Sequence, residues 1–382
     1  MRDAGRPDAP DFQALSHAGI RGLRAYDPGH DLVALRRAAA DALVELGSNE
    51  NSHGPSPRAI DAARAALVEA FRYPDPLGGD LKRALADRHG VDVARILLGN
   101  GSHEPLMQLS QVFAGKDDEV VASRYGFAVY ALAAQAAGAT LVLADPLPGD
   151  AAMPLGHDLD AIASAITPKT RLVYLANPNN PTGTWFSGDA LAAFMARVRV
   201  DVIVVVDEAY AEYVDAPEWR SAIELLATHP NLVVTRTFSK AHALAGLRIG
   251  YALADAGLIA MLERLRESFN VNGPGLAAAT ASLDDIDHLD QVVAATRSER
   301  ESLAQALRER GLAVWPSQTN FLLVGFGPDA AVIERALLSQ GVVLRPMAGY
   351  GLPECLRITV GNASENARLI GAIDACAGGA HG

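Results

Sequence analysis

The sequence predicts an α/β protein: a large domain on a mostly parallel sheet, followed by a smaller α+β domain. Three observations predict it. Runs rich in Val, Ile and Leu recur between residues 95 and 254 without polar alternation, as strands covered on both faces do. Helical segments separate most of those runs, the pattern expected of strands joined by crossovers. Past VNGPG (271–275) the texture changes to one long helical stretch and several short strand candidates. The chain thus divides into an N-terminal arm (1–45), a large domain (46–272) and a small C-terminal domain (273–382).

Taken in order, the first ten residues read as a loose tail, rich in Pro, Asp and Ala. After SNENSHGPSP a helix opens at Pro57, with Ser56 placed to cap it. Its apolar residues Ile60, Leu67, Val68 and Phe71 recur at helical spacing. Strand candidates then alternate with helices: RILLG with SHEPLMQLSQVF, EVVAS with FAVYALAAQAA, TLVLAD with DLDAIASAI, and RLVYLA with SGDALAAFMARV. DVIVVVDEAY, NLVVTRTF and RIGYALA complete the large sheet. In the small domain, LDQVVAATRSERESLAQALRERG predicts a long helix, and AVWPS, NFLLVGF, GVVLRP and CLRITVG predict short strands.

Composition narrows the function. A formal charge of −12 over 382 residues disfavours nucleic acid and anionic membrane as general partners, while leaving room for a local basic pocket. No apolar run approaches the roughly 20 residues of a membrane span. MRDAGRPDAPDF lacks the apolar core of a signal peptide. The two cysteines, Cys355 and Cys376, form no framework, which suits a reducing cytoplasm. No spacing among the ten histidines suggests a metal site.

Four candidates stand at the C-terminal ends of predicted strands, where open parallel sheets bind ligands. Lys240, in TRTFSKAHALAGLRIGY (235–251), is one of four lysines in a chain with twenty-nine arginines. An amine that can lose its proton forms a Schiff base with a carbonyl; a guanidinium cannot. Asp207 ends five consecutive apolar residues, where a buried carboxylate needs a cation or strong donor. Asn180 follows RLVYLA. Gly101 and Ser102 follow RILLG and open a helix whose free amides can hold a phosphate. Tyr210 adds a phenol, Thr237 and Ser239 add hydroxyls, and Arg248 adds an anion clamp. An aldehyde, a ring nitrogen, a ring hydroxyl and a phosphate would each find a partner, which is the set pyridoxal 5'-phosphate presents.

With these residues assembled, the sequence resembles the aspartate-aminotransferase superfamily of fold type I and, within it, the histidinol-phosphate aminotransferase family. The likeness runs from IRGLRAYDPG (20–29) to CLRITVG (355–361). It is carried by SNEN (48–51), RYPD (72–75), GNGS (99–102), YGFAVY (125–130), NPNNPTG (177–183), DEAY (207–210), TFSKAHALAGLR (237–248) and LRITVG (356–361). The resemblance implies a fold type I pyridoxal-phosphate transferase. Lys240 would form the Schiff base, Asp207 would pair with the ring nitrogen, and Asn180 and Tyr210 would hold the ring hydroxyl. Tyr125 would stack on the ring. Thr237, Ser239, Arg248 and the turn of Gly101, Ser102 and His103 would hold the phosphate.

It further implies a homodimer in which Tyr73 reaches the neighbouring subunit's cofactor. Arg345 and Arg357 would grip the substrate's anionic end, and Tyr26 would cover it from the N-terminal arm. L-histidinol phosphate would be the amino donor and 2-oxoglutarate the acceptor. Alternatives are an aromatic or other amino-acid aminotransferase and a decarboxylase of the threonine-phosphate type. The chain departs from the family at Ser52, His53, His103 and the pair His242–Ala243, and the three histidines read as exposed or capping.

Overall fold

The structure, a computed structural model, describes residues 10–23, 30–39 and 43–379. A two-residue strand, β1 (Val44–Glu45), precedes the large sheet. That sheet has seven strands: β2 (Ile96–Asn100), β3 (Glu119–Ser123), β4 (Thr140–Ala144), β5 (Thr170–Ala176), β6 (Ile203–Asp207), β7 (Leu232–Thr237) and β8 (Ile249–Leu253). Their spatial order is β2-β8-β7-β6-β5-β3-β4. Pairings from β7 to β4 are all parallel, whereas β8 runs antiparallel to both neighbours. The reversal has a local cause. Residues 238–248 are too few for the crossover helix a parallel return needs.

The strands lack polar alternation because both faces are covered. Val204 and Val206 of β6 enter one buried cluster and Val205 the other, as the two-residue period of a strand requires. Leu97 and Leu98 of β2, and Val173 and Tyr174 of β5, divide in the same way.

The helix at Pro57 ends at Ala66, with Ser56 Oγ accepting from the Ala59 amide. Its buried positions are the small ones, Ala59 and Ala63, which share a cluster with Ala278 and Ala279 of the helix Gly273–Leu283. Small residues let the two backbones approach, so Leu67, Val68 and Phe71 turn outward and are 56%, 73% and 76% exposed.

The smaller body holds β9 (Ala313–Val314), β10 (Phe321–Gly325), β11 (Val342–Val343), β12 (Arg345–Pro346) and β13 (Cys355–Thr359). Four of them form a sheet ordered β12-β13-β10-β9, and β11 pairs in parallel with β1. The expected long helix spans Ile286–Glu309 and packs Leu303 and Leu307 into this core. Val44 and Leu46 pack there too, so the chain leaves the small body at Gly47 and crosses to the large one through Ser48, Asn49 and Glu50. Among the described residues no helix is long and apolar enough to cross a membrane.

One glycine decides how closely the first turn approaches the sheet. A Cβ on Gly250 of β8 would lie 2.2 Å from the Ser102 amide nitrogen and 2.4 Å from the Gly101 carbonyl carbon. Backbone cannot be pushed aside as a side chain can, so Gly250→Ala is expected to cost about 1–3 kcal/mol and to displace the 101–102 turn. Thermal melting and phosphate-ester affinity check this. A variant with unchanged melting and affinity would contradict it.

Candidate active site

Strands β5, β6 and β7 are adjacent and parallel, so the residues that follow or end them, Asn180, Asp207 and Lys240, come together at one edge of the sheet. They line a cavity of about 530 Å³ between the two bodies.

The two acids of DEAY show what this edge is built for. Glu208 is fully buried and has its cation inside the protein: Arg236 grips Oε2 through two nitrogens, at 2.6 and 3.0 Å. Asp207 is buried beside it, yet the donors that reach it are neutral. Tyr130 donates its hydroxyl to Oδ2 and Thr235 to Oδ1, each at 3.0 Å, and the Ala209 amide adds a third bond. Burial pushes the Asp207 carboxyl up to about 6, against the pull of those donors. Because the folded value is raised, the ionised carboxylate costs stability as pH rises through about 6. A cation docked from the cavity would offset that cost. A protonated ring nitrogen fits.

Lys240 lies across the cavity, half-buried. Its Nζ donates to the carbonyl oxygens of Asn49 (3.2 Å) and Ser48 (3.5 Å). Burial, and next the charge of Arg357, push its amine down from 10.5 to about 8. At neutral pH about a tenth of the amine is then free, against well under a thousandth at the ordinary lysine value. Tyr210 is buried, and its phenol is pushed up to about 12 by burial, so it keeps its proton. The hydroxyl accepts from Asn49 Nδ2 at 2.9 Å, which leaves its own hydrogen to give.

The anion cup lies at the open side. The helix His103–Phe113 begins at Ser102, whose side chain makes no capping bond, so its first amides face the cavity uncapped by it. Gly101 turns the chain with φ +71°, and its amide donates to the Arg248 carbonyl at 3.0 Å. A Cβ there would meet the Arg248 guanidinium at 2.5 Å. Thr237 donates to Ser239 Oγ (3.0 Å), and Arg248 Nη1 donates to the same oxygen (3.3 Å). Two hydroxyls, one guanidinium and a helix N-terminus fit a phosphate monoester.

From the small body come the arginines. Arg357 is buried, with Nη1 donating to Asn180 Oδ1 (2.7 Å) and Nη2 to the Gly47 carbonyl (2.6 Å). Arg345 stands directly opposite it in the β12–β13 register, and both line the cavity.

The structure therefore gathers Lys240, Asp207, Tyr210 and Asn180 with the anion cup and both arginines. Gly101 stands just behind the cup. Tyr125 is not among the lining residues; its carbonyl accepts from Asn179 Nδ2 at 2.9 Å, while Phe127 and Tyr130 of the same motif face the cavity. Tyr73 is 81% exposed and stacked on Phe269, away from this cavity. Tyr26 lies outside the described residues.

His53 and His103 are exposed as expected, but His242 is not. It is buried against Phe238, with Nδ1 sharing a 2.7 Å bond with Ser282 Oγ, and burial pushes its ring down to about 3. It is a neutral packing group. Among the described residues, no three His, Cys, Asp or Glu side chains group as a metal site.

Sequence reasoning passed over Tyr130, Thr235, Asn49 and Gly250. For Gly250 a signal existed: glycine inside a strand marks close backbone approach. Asn49 lay in a quoted motif, but its role comes from a left-handed φ of +55°, which asparagine tolerates better than most residues.

This fold and site place the chain among the amino-group transferases. It belongs to the aminotransferase class I and II family, whose family model matches residues 41–373. A histidinol-phosphate aminotransferase of Pseudomonas aeruginosa is 45% identical over 368 residues, covering 95% of this chain and 98% of that one. One from Nitrosococcus oceani is 44% identical, covering 94% and 96%. The solved histidinol-phosphate aminotransferase of Sinorhizobium meliloti, in complex with pyridoxal-5'-phosphate, superposes with a TM-score of 0.82 at 31% identity, covering 92% of this chain and 99% of that chain.

Lys240 is expected to capture pyridoxal phosphate with a rate that rises through pH 8 and then levels, since the free amine is the nucleophile. Borohydride reduction and peptide mapping should place the pyridoxyl label on Lys240. A label on Lys82, which pairs with Glu263, or on the exposed Lys116 or Lys169, would overturn the assignment, as would a midpoint near 10.5.

Proposed function

We propose that this chain is a pyridoxal-phosphate-dependent aminotransferase that moves the amino group of L-histidinol phosphate to 2-oxoglutarate. Pyridoxal phosphate, when bound, supplies an aldehyde that condenses with amines and a ring that takes up an electron pair. Asp207 would hold the ring nitrogen protonated, Tyr210 would donate to the ring oxygen, and the cup of Ser102, Thr237, Ser239 and Arg248 would seat the phosphate. The Nζ of Lys240, depressed enough to act as a base near neutral pH, would take the proton from the amine-bearing carbon and return it to the carbon on the other side of the nitrogen.

The observation that carries the substrate reading is the arginine pair. Like charges directly opposite on antiparallel strands repel. Arg345 and Arg357 hold that register and both line one cavity, so two guanidiniums can reach a single ligand there. A dianionic phosphate gains more from two such groups than a single carboxylate does. Two relatives 45% and 44% identical along nearly the whole chain are histidinol-phosphate aminotransferases, which supports the same donor.

Steady-state kinetics with histidinol phosphate, phenylalanine and tyrosine test this, with glutamate and carbon dioxide both measured. Histidinol phosphate should give the highest kcat/KM, with glutamate formed and no carbon dioxide. Arg357→Lys should weaken its binding by about 1–3 kcal/mol, as for loss of a charge-assisted hydrogen bond. A plain amino acid as the preferred donor, or release of carbon dioxide, would refute the reading.

We also propose a cytoplasmic homodimer. Leu67, Val68, Phe71, Tyr73 and Leu77 are all more than half exposed within one short stretch, an apolar surface that a second copy would cover. Both cysteines are free, which suits a reducing compartment. Mixing inactive Lys240→Ala subunits with weakened Tyr73→Phe subunits should restore activity through hybrids. A fully active monomer in sedimentation would rule the arrangement out.

A further inference from the structure

The aromatic column behind Asp207 is more ordered than packing alone requires. Tyr130 lies in the helix Ala128–Ala136 and is 1% exposed. Its ring stacks on Tyr174 of β5 with centroids 4.9 Å apart and planes 3° from parallel, and meets Phe127 edge-on at 5.9 Å. Tyr174 is fixed in turn: its hydroxyl donates to the Leu106 carbonyl at 2.8 Å and shares a 2.9 Å bond with Ser110 Oγ. A phenol gripped on two sides keeps one direction, and the Tyr130 hydroxyl points at Asp207 Oδ2 from 3.0 Å.

We propose that Tyr130 is a positioning residue for the reaction: with Thr235 on the other oxygen, it fixes the orientation in which Asp207 meets the ring nitrogen. This rests on Asp207 being the ring-nitrogen partner. A carboxylate carrying one fixed donor on each oxygen cannot rotate without breaking a bond in a dry site. Those two bonds also favour the ionised form, which is the form that attracts a protonated ring nitrogen.

The groups facing Asp207 come from four elements. Tyr130 reaches it from its helix and Thr235 from β7. Glu208 and Tyr210 flank it on its own turn, Glu208 with its charge met by Arg236. Lys240 faces the same cavity from the loop after β7. Of these, the Tyr130 hydroxyl is the side-chain bond that most opposes protonation of Asp207.

The test is the pH dependence of pyridoxal-phosphate affinity in the full-length chain, read by equilibrium titration, beside the acid limb of kcat/KM. The wild type should lose affinity on acidification with a midpoint near 6. Tyr130→Phe keeps the ring and removes the hydroxyl, so the midpoint should rise by about one pH unit, a tenfold gain in proton affinity. Its kcat should fall with KM little changed. Tyr174→Phe keeps the stacked ring and loses a hydroxyl that touches neither Tyr130 nor Asp207; it should melt at a lower temperature and move the midpoint far less than Tyr130→Phe does. A midpoint unmoved in Tyr130→Phe, or moved equally in Tyr174→Phe, would overturn the proposal. Should Tyr130→Phe not fold, Thr235→Val carries the same expectation from the other oxygen. A wild type that binds no pyridoxal phosphate would defeat the cofactor reading and this inference with it.

Discussion

A carboxylate buried at the end of an apolar strand, hydrogen-bonded among the described residues by neutral donors, is the constraint from which the site follows. Ionised carboxylates are costly to bury, and proteins meet that cost with a partner charge. Glu208 shows that this chain can do so one residue away, through Arg236. Among the described residues, Asp207 is met by hydroxyls and an amide, and its carboxyl stays high. That arrangement suits a cation carried in by a ligand. Everything around it suits a ligand that brings one: a depressed amine for an aldehyde, a protonated phenol for a ring oxygen, and a helix N-terminus for a phosphate.

The second body completes the site by crossing into it. Residues 47–50 leave the small core and lie under Lys240, whose amine rests on the carbonyls of Ser48 and Asn49. Asn49 also donates to Tyr210, takes a bond from Asn320 and donates its amide to Thr359 Oγ1. Arg357 ties Gly47 to Asn180 of the large body. The cofactor region and the proposed anion clamp are therefore joined by direct hydrogen bonds, so the placement of the small body bears on both.

Much of this was legible in the sequence, and the limits have physical causes. The large-sheet strands stood out because burial on both faces removes polar alternation. The direction of β8 did not, since a strand reads alike both ways and only the short 238–248 link decides it. Lys240 and Asp207 were legible because each is an odd residue type for its place. Tyr130 and Thr235 were not, because a tyrosine in an apolar helix and a threonine in a strand look like packing until Asp207 is beside them. The helix at Pro57 misled in the opposite way. Its large apolar residues pointed to a core face, yet close helix packing buried Ala59 and Ala63 instead. His242 sits in a loop rich in small residues, and nothing local showed that Ser282 would bury it.

The most direct measurement compares thermal stabilisation by pyridoxal phosphate and by an analogue in which carbon replaces the ring nitrogen, in wild type and Asp207→Asn. Both ligands carry the same aldehyde, hydroxyl and phosphate, so they differ only in the cation offered to Asp207. Near pH 7 pyridoxal phosphate should raise the wild-type melting temperature clearly more than the analogue does, and Asp207→Asn should abolish the difference. Equal stabilisation of the wild type by the two ligands would contradict it.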